Sequence, residues 1–65
     1  MARKKGTITR INMGRKIIDD HASNVEYVSL DPRYWRVGED VFFDATTRVD
    51  SRSGLYIAIN LSRRS

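Results

Sequence analysis

His21 is the sole histidine of the chain, and Asp19 and Asp20 stand directly before it. Imidazole next to carboxylate can act as a general base or hold a divalent cation. A metal centre needs several convergent ligands, and there is no second histidine and no cysteine. His21 therefore reads as a solvated loop histidine, with no metal and no other cofactor expected. Serines and aspartates occur without the base and orienting partner that an activated nucleophile requires. The glycines, Gly6, Gly14, Gly38 and Gly54, are scattered and each suits a turn or a strand start, so none belongs to a phosphate loop. The expectation is a protein that is not an enzyme.

The residues better suited to binding are basic. Arg10, Arg15 and Lys16 fall close together, Arg3-Lys4-Lys5 open the chain and Arg63-Arg64 nearly close it. Residues 1–16 carry six basic side chains and no acid, residues 17–47 seven acids against two arginines, and residues 48–65 four arginines against one aspartate. A polyanion would be drawn to the two ends of a chain with net charge +4. Arginine can fork onto two phosphate oxygens or stack on a base. Two readings stand side by side for Arg10, Arg15 and Lys16: phosphate contacts, or a solvated face balanced by Asp19, Asp20 and Glu26. The terminal cations likewise form either one patch, if the ends meet, or two independent tails.

Four aromatics complete the candidates. Tyr34 and Trp35 follow Asp31-Pro32, and the reading is one buried and one partly exposed, the exposed ring free for stacking or docking. Phe42 and Tyr56 lie off the main apolar pattern, either as ordinary cross-strand packing or as an exposed docking pair.

These residues must be positioned by short strands. Val41, Phe43 and Ala45 alternate with Phe42, Asp44 and Thr46, the clearest period-2 run of the chain. Asp50 to Gly54 reads as a turn, and Leu55 to Leu61 as the partner strand, with Leu55, Ile57, Ile59 and Leu61 expected inward. Upstream, Gly6 opens a first strand with a bend in it, Asn12-Met13-Gly14 turns the chain, Arg15 to Asp19 forms a second strand, and Val25 to Val28 a third with Val25 and Tyr27 on one face. Leu30 is expected to plug the core. Asp31-Pro32 is a helix-start signal with space for a single turn before Gly38. The fold class that results is all-β: a small five-stranded antiparallel OB-type barrel with one short helical turn between strands 3 and 4. The expected limits are a basic flexible arm over 1–5, the barrel over 6–62 and a basic tail over 63–65. No apolar run approaches the ~20 residues of a membrane span, and the basic start lacks the apolar segment of a secretory signal. A cysteine-free domain of this kind is expected in the cytoplasm, or the nucleus.

The order of elements resembles a cold-shock domain. Gly6 to Asn12 is similar to that family's opening strand. Met13 to Ile18 lies where the family has Lys-Gly-Phe-Gly-Phe-Ile, and Asn24 to Val28 where it has Asp-Val-Phe-Val-His. Val37-Gly38-Glu39-Asp40-Val41-Phe42-Phe43 resembles its Glu-Gly-Gln-x-Val-x-Phe, and Gly54 followed by Ala58-Ile59-Asn60-Leu61 its glycine followed by Ala-Ala-Asn-Val. The resemblance implies binding of single-stranded nucleic acid on the outer face of the first three strands. The family's stacking aromatics are replaced here by Arg10 and Ile11, Arg15 and Ile17, and Glu26 and Val28. A non-standard member is thus implied: a weak, largely electrostatic module for single-stranded RNA (or DNA), using Arg10, Arg15, Lys16 and Ile17 with help from Lys5, Arg63 and Arg64. The alternative is a spacer or protein-interaction module, bound to another protein or a neighbouring domain of a larger RNA-associated protein.

Overall fold

A computed structural model of the protein describes residues 3–63. Five strands run in order: β1 (Lys4–Asn12), β2 (Arg15–Asp20), β3 (Glu26–Ser29), β4 (Asp40–Val49) and β5 (Tyr56–Arg63). They close into a barrel with the neighbour order β1-β2-β3-β5-β4. All pairings are antiparallel except β3 with β5, which is parallel and short, joining Tyr27 to Tyr56 and Val28 to Ile57. β1 bends as expected, with its register against β2 shifting between Ile8 and Arg10. That bend lets one strand serve both β2 and β4, which closes the sheet and removes its free edges. No helix among the described residues is long and apolar enough to cross a membrane.

The core consists of Ile8, Ile18, Tyr27, Trp35, Val41, Phe43, Ala58 and Leu61. Tyr27 and Phe43 pack ring to ring, with centroids 5.2 Å apart. Polar side chains are buried too, among them Lys16 and Asp20. Lys16 donates from Nζ to the carbonyls of Gly14 (3.0 Å) and Asp31 (2.7 Å). Asp20 accepts from Ser23 Oγ at 2.7 Å and from Lys4 Nζ at 3.2 Å. Burial alone would raise the Asp20 pKa, but Ser23, the Ala22 amide and Lys4 outweigh it and hold the carboxyl below its ordinary value.

Several expectations need correction. There is no helical turn between β3 and β4. Asp31 Oδ1 does accept from the Arg33 amide at 2.9 Å, so the capping interaction forms. The chain then bends at Arg33 and continues without helix. Tertiary ties claim these residues instead: Arg33 donates to the Leu61 carbonyl, and Trp35 is drawn into the core. β1 begins at Lys4 and not at Gly6, because Lys4 and Lys5 pair with Phe43 and Phe42 of β4. Residues 4 and 5 therefore belong to the barrel and not to an arm. Arg63 likewise belongs to β5, while the ends of the expected arm and tail, residues 1–2 and 64–65, lie outside the described residues. In β5 it is Ala58 and Leu61 that face the core, and Ile59 is 45% exposed. Asn60 adopts a left-handed conformation (φ 56°), which shifts the strand's alternation by one residue. Leu30 is exposed and plugs nothing, and Val25 lies before β3 and is exposed while Tyr27 is buried.

Candidate nucleic-acid interface

The outer face of β1–β3 is bordered by two turns. The β1–β2 turn is Asn12-Met13-Gly14, with Met13 at φ 53° and Gly14 at φ 79°. This pair of positive φ values matches the twist of a tight hairpin. The β4–β5 loop is built on Asp50, whose Oδ2 accepts from the Ser53 amide (3.2 Å) and hydroxyl (2.9 Å). Gly54 closes it at φ 73°, donating to the Asp50 carbonyl at 2.8 Å.

One ion pair ties the two turns together. Arg15, at the start of β2, donates from Nε to Asp50 Oδ2 at 2.8 Å and from Nη2 to Oδ1 at 3.3 Å. This two-point contact holds the Asp50 carboxyl well below the usual carboxylate range, assisted by Ser53 and opposed by burial. It raises the Arg15 guanidinium in turn.

Between the turns lies a groove of about 370 Å³. Arg10, Arg15 and Glu26 line it from the strands, Met13 from the first turn, and Arg52 and Leu55 from the second. Ile17 also lines it, pairing with Val28 of β3; both are buried. Arg10 is two-thirds exposed and sits 3.7 Å from Glu26 Oε2. With Arg15 neutralised by Asp50, Arg10 and Arg52 stand against the single carboxylate of Glu26, and this modest positive excess suits an anion that also carries apolar surface.

The expected site residues scatter accordingly. Arg10, Arg15 and Ile17 meet at the groove, although Arg15 is engaged by Asp50 and Ile17 serves as a buried lining. Lys16 is a correction: at 7% exposure, with its ammonium on two carbonyls, it cannot reach a phosphate. Lys5 lies away from the groove lining, with its ammonium 5.9 Å from the Phe42 ring centroid. Arg63 is exposed and bound to Glu39 and to the Tyr34 carbonyl. Arg64 lies outside the described residues.

The two ends do come together, since Arg3 donates to Ser62 Oγ at 2.9 Å. Yet Arg3 also pairs with Asp44 (3.4 Å) and Arg63 with Glu39, so acids on or beside β4 balance the cations there. Of the aromatics, Tyr34 is 73% exposed and Trp35 3% exposed, which matches the expectation of one buried and one exposed ring. Phe42 faces Ser62 and Tyr56 faces Val49 across the hairpin, so the two do not pair with each other. His21 Nε2 lies 2.7 Å from Thr7 Oγ1, and that hydroxyl donates to Asp40 at 2.7 Å. The Thr7 proton is thus already committed to a carboxylate, and His21 is not placed as its base. Among the described residues no group of three or more potential ligands gathers to hold a metal.

Arg52, Met13 and Leu55 at the groove escaped sequence reasoning. Each sits in or beside a turn that the glycine spacing reveals. What is missing from the spacing is that both turns fold toward the same face.

The acidic ties make the barrel sensitive to low pH. Arg33, opposed by burial and aided by its own amide and the Trp35 indole, lowers the Asp31 carboxyl from 3.8 to about 2. A depressed carboxyl stabilises the fold above its unfolded pKa, and that contribution disappears as pH falls through the folded value. Stability is therefore expected to be flat down to about pH 4 and to decline toward about pH 2. Because Arg33 is more than half exposed, Asp31 accounts for only about 1 kcal/mol of this loss. Urea midpoints measured across that range check the expectation. Asp31→Asn should flatten part of the decline, and an unchanged profile in that variant would count against the assignment.

No protein-family model matches the chain, and no match is found among curated proteins or solved structures.

Proposed function

We propose that this barrel is a nucleic-acid-binding module that takes single-stranded RNA, or DNA less well, weakly and largely by charge. The observation that supports the reading best is the groove on the β1–β3 face, bounded by two turns and flanked by Arg10 and Arg52. Neither cation is buried in the fold: Arg10 has only its loose pair with Glu26, and Arg52 has no partner among the described residues. Phosphates running along the groove would meet them, while a base would meet Ile17, Met13 and Leu55. A 2′-hydroxyl gives RNA one more partner at a polar group such as Asn12. Stacking on aromatic rings supplies about 1–3 kcal/mol per base in other single-strand binders. Its absence from this face keeps the affinity low. The reading involves no catalysis and no cofactor, and a cytoplasmic or nuclear setting suits it.

The test is a titration of fluorescein-labelled short RNA, followed by anisotropy at low and physiological salt. Trp35 is buried away from the groove, so the label and not intrinsic fluorescence must report. Arg10→Ala with Arg52→Ala is expected to weaken binding at least tenfold and to reduce the salt slope by about 1–1.5. Lys5→Ala should change little, because Lys5 is off the groove. Full affinity in the double variant would defeat the proposal.

A second reading, a protein-interaction module, draws on another surface. Leu30, Ile57, Ile59 and Pro32 line a groove of about 480 Å³ beside β5. Leu30 and Ile59 are about half exposed. Under that reading RNA produces no salt-dependent anisotropy change, and Ile59→Asp disrupts partner binding.

A further inference from the structure

The one acid lining the groove is not explained by attraction to phosphate. Glu26 opposes it, and a threonine or glutamine there would give a more uniformly positive surface. Its contact with Arg10, at 3.7 Å, is longer than the ~2.7–2.9 Å of a charge-assisted hydrogen bond. The carboxylate therefore keeps its accepting capacity for another group.

Met13 is the second unexplained residue. It occupies a left-handed position (φ 53°) that glycine or asparagine adopts with less strain, and it is 82% exposed. Neither the turn nor the core needs a thioether at this point. It lines the same groove as Glu26, with Ile17 and Leu55. Thioether sulfur makes adaptable contacts with aromatic rings. A volume of about 370 Å³ falls at the small end of ordinary ligand sites, enough for one nucleoside.

We propose that Glu26 makes this groove selective for guanine, with the base lying against Met13, Ile17 and Leu55. The inference rests on the reading of the groove as a single-strand site and goes on to name the base. An ionised carboxylate only accepts hydrogen bonds. The Watson–Crick edge of guanine offers two adjacent donors, N1–H and the 2-amino group, and both oxygens of Glu26 can accept in parallel. Adenine and cytosine offer an amino group next to a ring acceptor, which would oppose the second oxygen. Uracil offers one N–H between two carbonyls. The carboxylate thus discriminates through what it repels as well as what it binds.

The experiment uses labelled five-nucleotide RNAs, uridine at every place except the centre, which is guanosine, inosine, adenosine or cytidine. The intact protein is expected to bind the guanosine oligomer about tenfold more tightly than the adenosine one. Inosine, which lacks the 2-amino group, should fall between. Glu26→Gln should weaken binding of the guanosine oligomer and strengthen that of the adenosine oligomer, since the charge is gone. A Glu26 that acts only as a negative charge would instead let the variant bind all four more tightly, which overturns the inference. Equal affinities of the intact protein for the four oligomers also overturn it, while leaving the single-strand reading in place. No binding of any oligomer at low salt removes both. Glu26 is exposed and the amide has the same shape, so the variant is expected to fold; the series on the unaltered protein decides the matter even if it does not.

Discussion

Gly6→Ala is expected to lower the urea midpoint sharply, more than alanine at any other glycine of the chain. A β-carbon at Gly6 would lie 2.6 Å from Ile18 Cγ2, 2.7 Å from the Asp19 carbonyl oxygen and 3.1 Å from Phe43 Cε1. Ile18 and Phe43 are fully buried core residues, and the Asp19 carbonyl is backbone of the β2 strand that pairs with β1 at this point. None of the three can retreat without parting β1 from β2 or opening the core. Overpacking of this kind costs about 1–3 kcal/mol, and more where backbone is struck. A domain of this length has roughly 3–10 kcal/mol in total. The same substitution at Gly14 meets nothing within 4 Å and suffers only the strain of its positive φ, about 1 kcal/mol. Urea denaturation followed by circular dichroism separates the two. A Gly6→Ala protein with an unchanged midpoint would mean that the β1–β2 contact is looser than described.

Trp35→Ala is the second large effect. Trp35 is the one core residue supplied by the β3–β4 connection. The Arg63 and Arg33 guanidinium carbons lie 4.3 Å and 5.0 Å from its ring, a cation–π arrangement. Removing it opens a cavity and takes the ring face from both arginines, leaving the loop held only by their contacts with Asp31, Leu61, Glu39 and Tyr34. Truncating a buried tryptophan costs about 3–5 kcal/mol, a large share of the stability of so small a domain. Trp35→Phe separates the causes. The indole N–H makes no hydrogen bond of ordinary geometry and only leans toward the Asp31 carboxylate, which Arg33 already holds, so its loss leaves no buried partner stranded. Phenylalanine should therefore restore much of the stability, leaving a deficit of about 1–2 kcal/mol for the lost volume. An alanine variant within 1 kcal/mol of the parent in urea would show that the connection is held by other contacts.

The barrel was legible in the sequence to the extent that local rules govern it. Gly14, Gly38 and Gly54 all adopt positive φ, as the turn readings require. Val41 and Phe43 are fully buried, as their alternation implies. What failed involved signals made only on folding. The alternation in β5 looked continuous, but Asn60 interrupts it, and an asparagine announces nothing until its φ is known. Lys16 looked like a surface cation; three-dimensional neighbours alone supply the two carbonyls that accept its ammonium. Asp50 was visible as a turn residue and not as the partner of Arg15, which stands 35 positions away. For the site, the strand residues Arg10, Arg15 and Ile17 could be found from the sequence, and Arg52 could not, because loop direction is set by tertiary contacts.

The pairings of the sheet divide the barrel into two boards of unequal attachment. β1, β2 and β3 form one board and the β4–β5 hairpin the other. The spine between them is long: residues 4–7 pair with residues 40–43, and Ile8 exchanges backbone hydrogen bonds with Gly38 and Glu39. On the opposite side the boards meet through only two residue pairs of β3 and β5, with Arg15 and Asp50 reaching across as a clasp. The groove opens beside that clasp and takes its walls from both boards. A ligand that fills it touches both boards, so its binding is expected to add to the stability of the closed barrel.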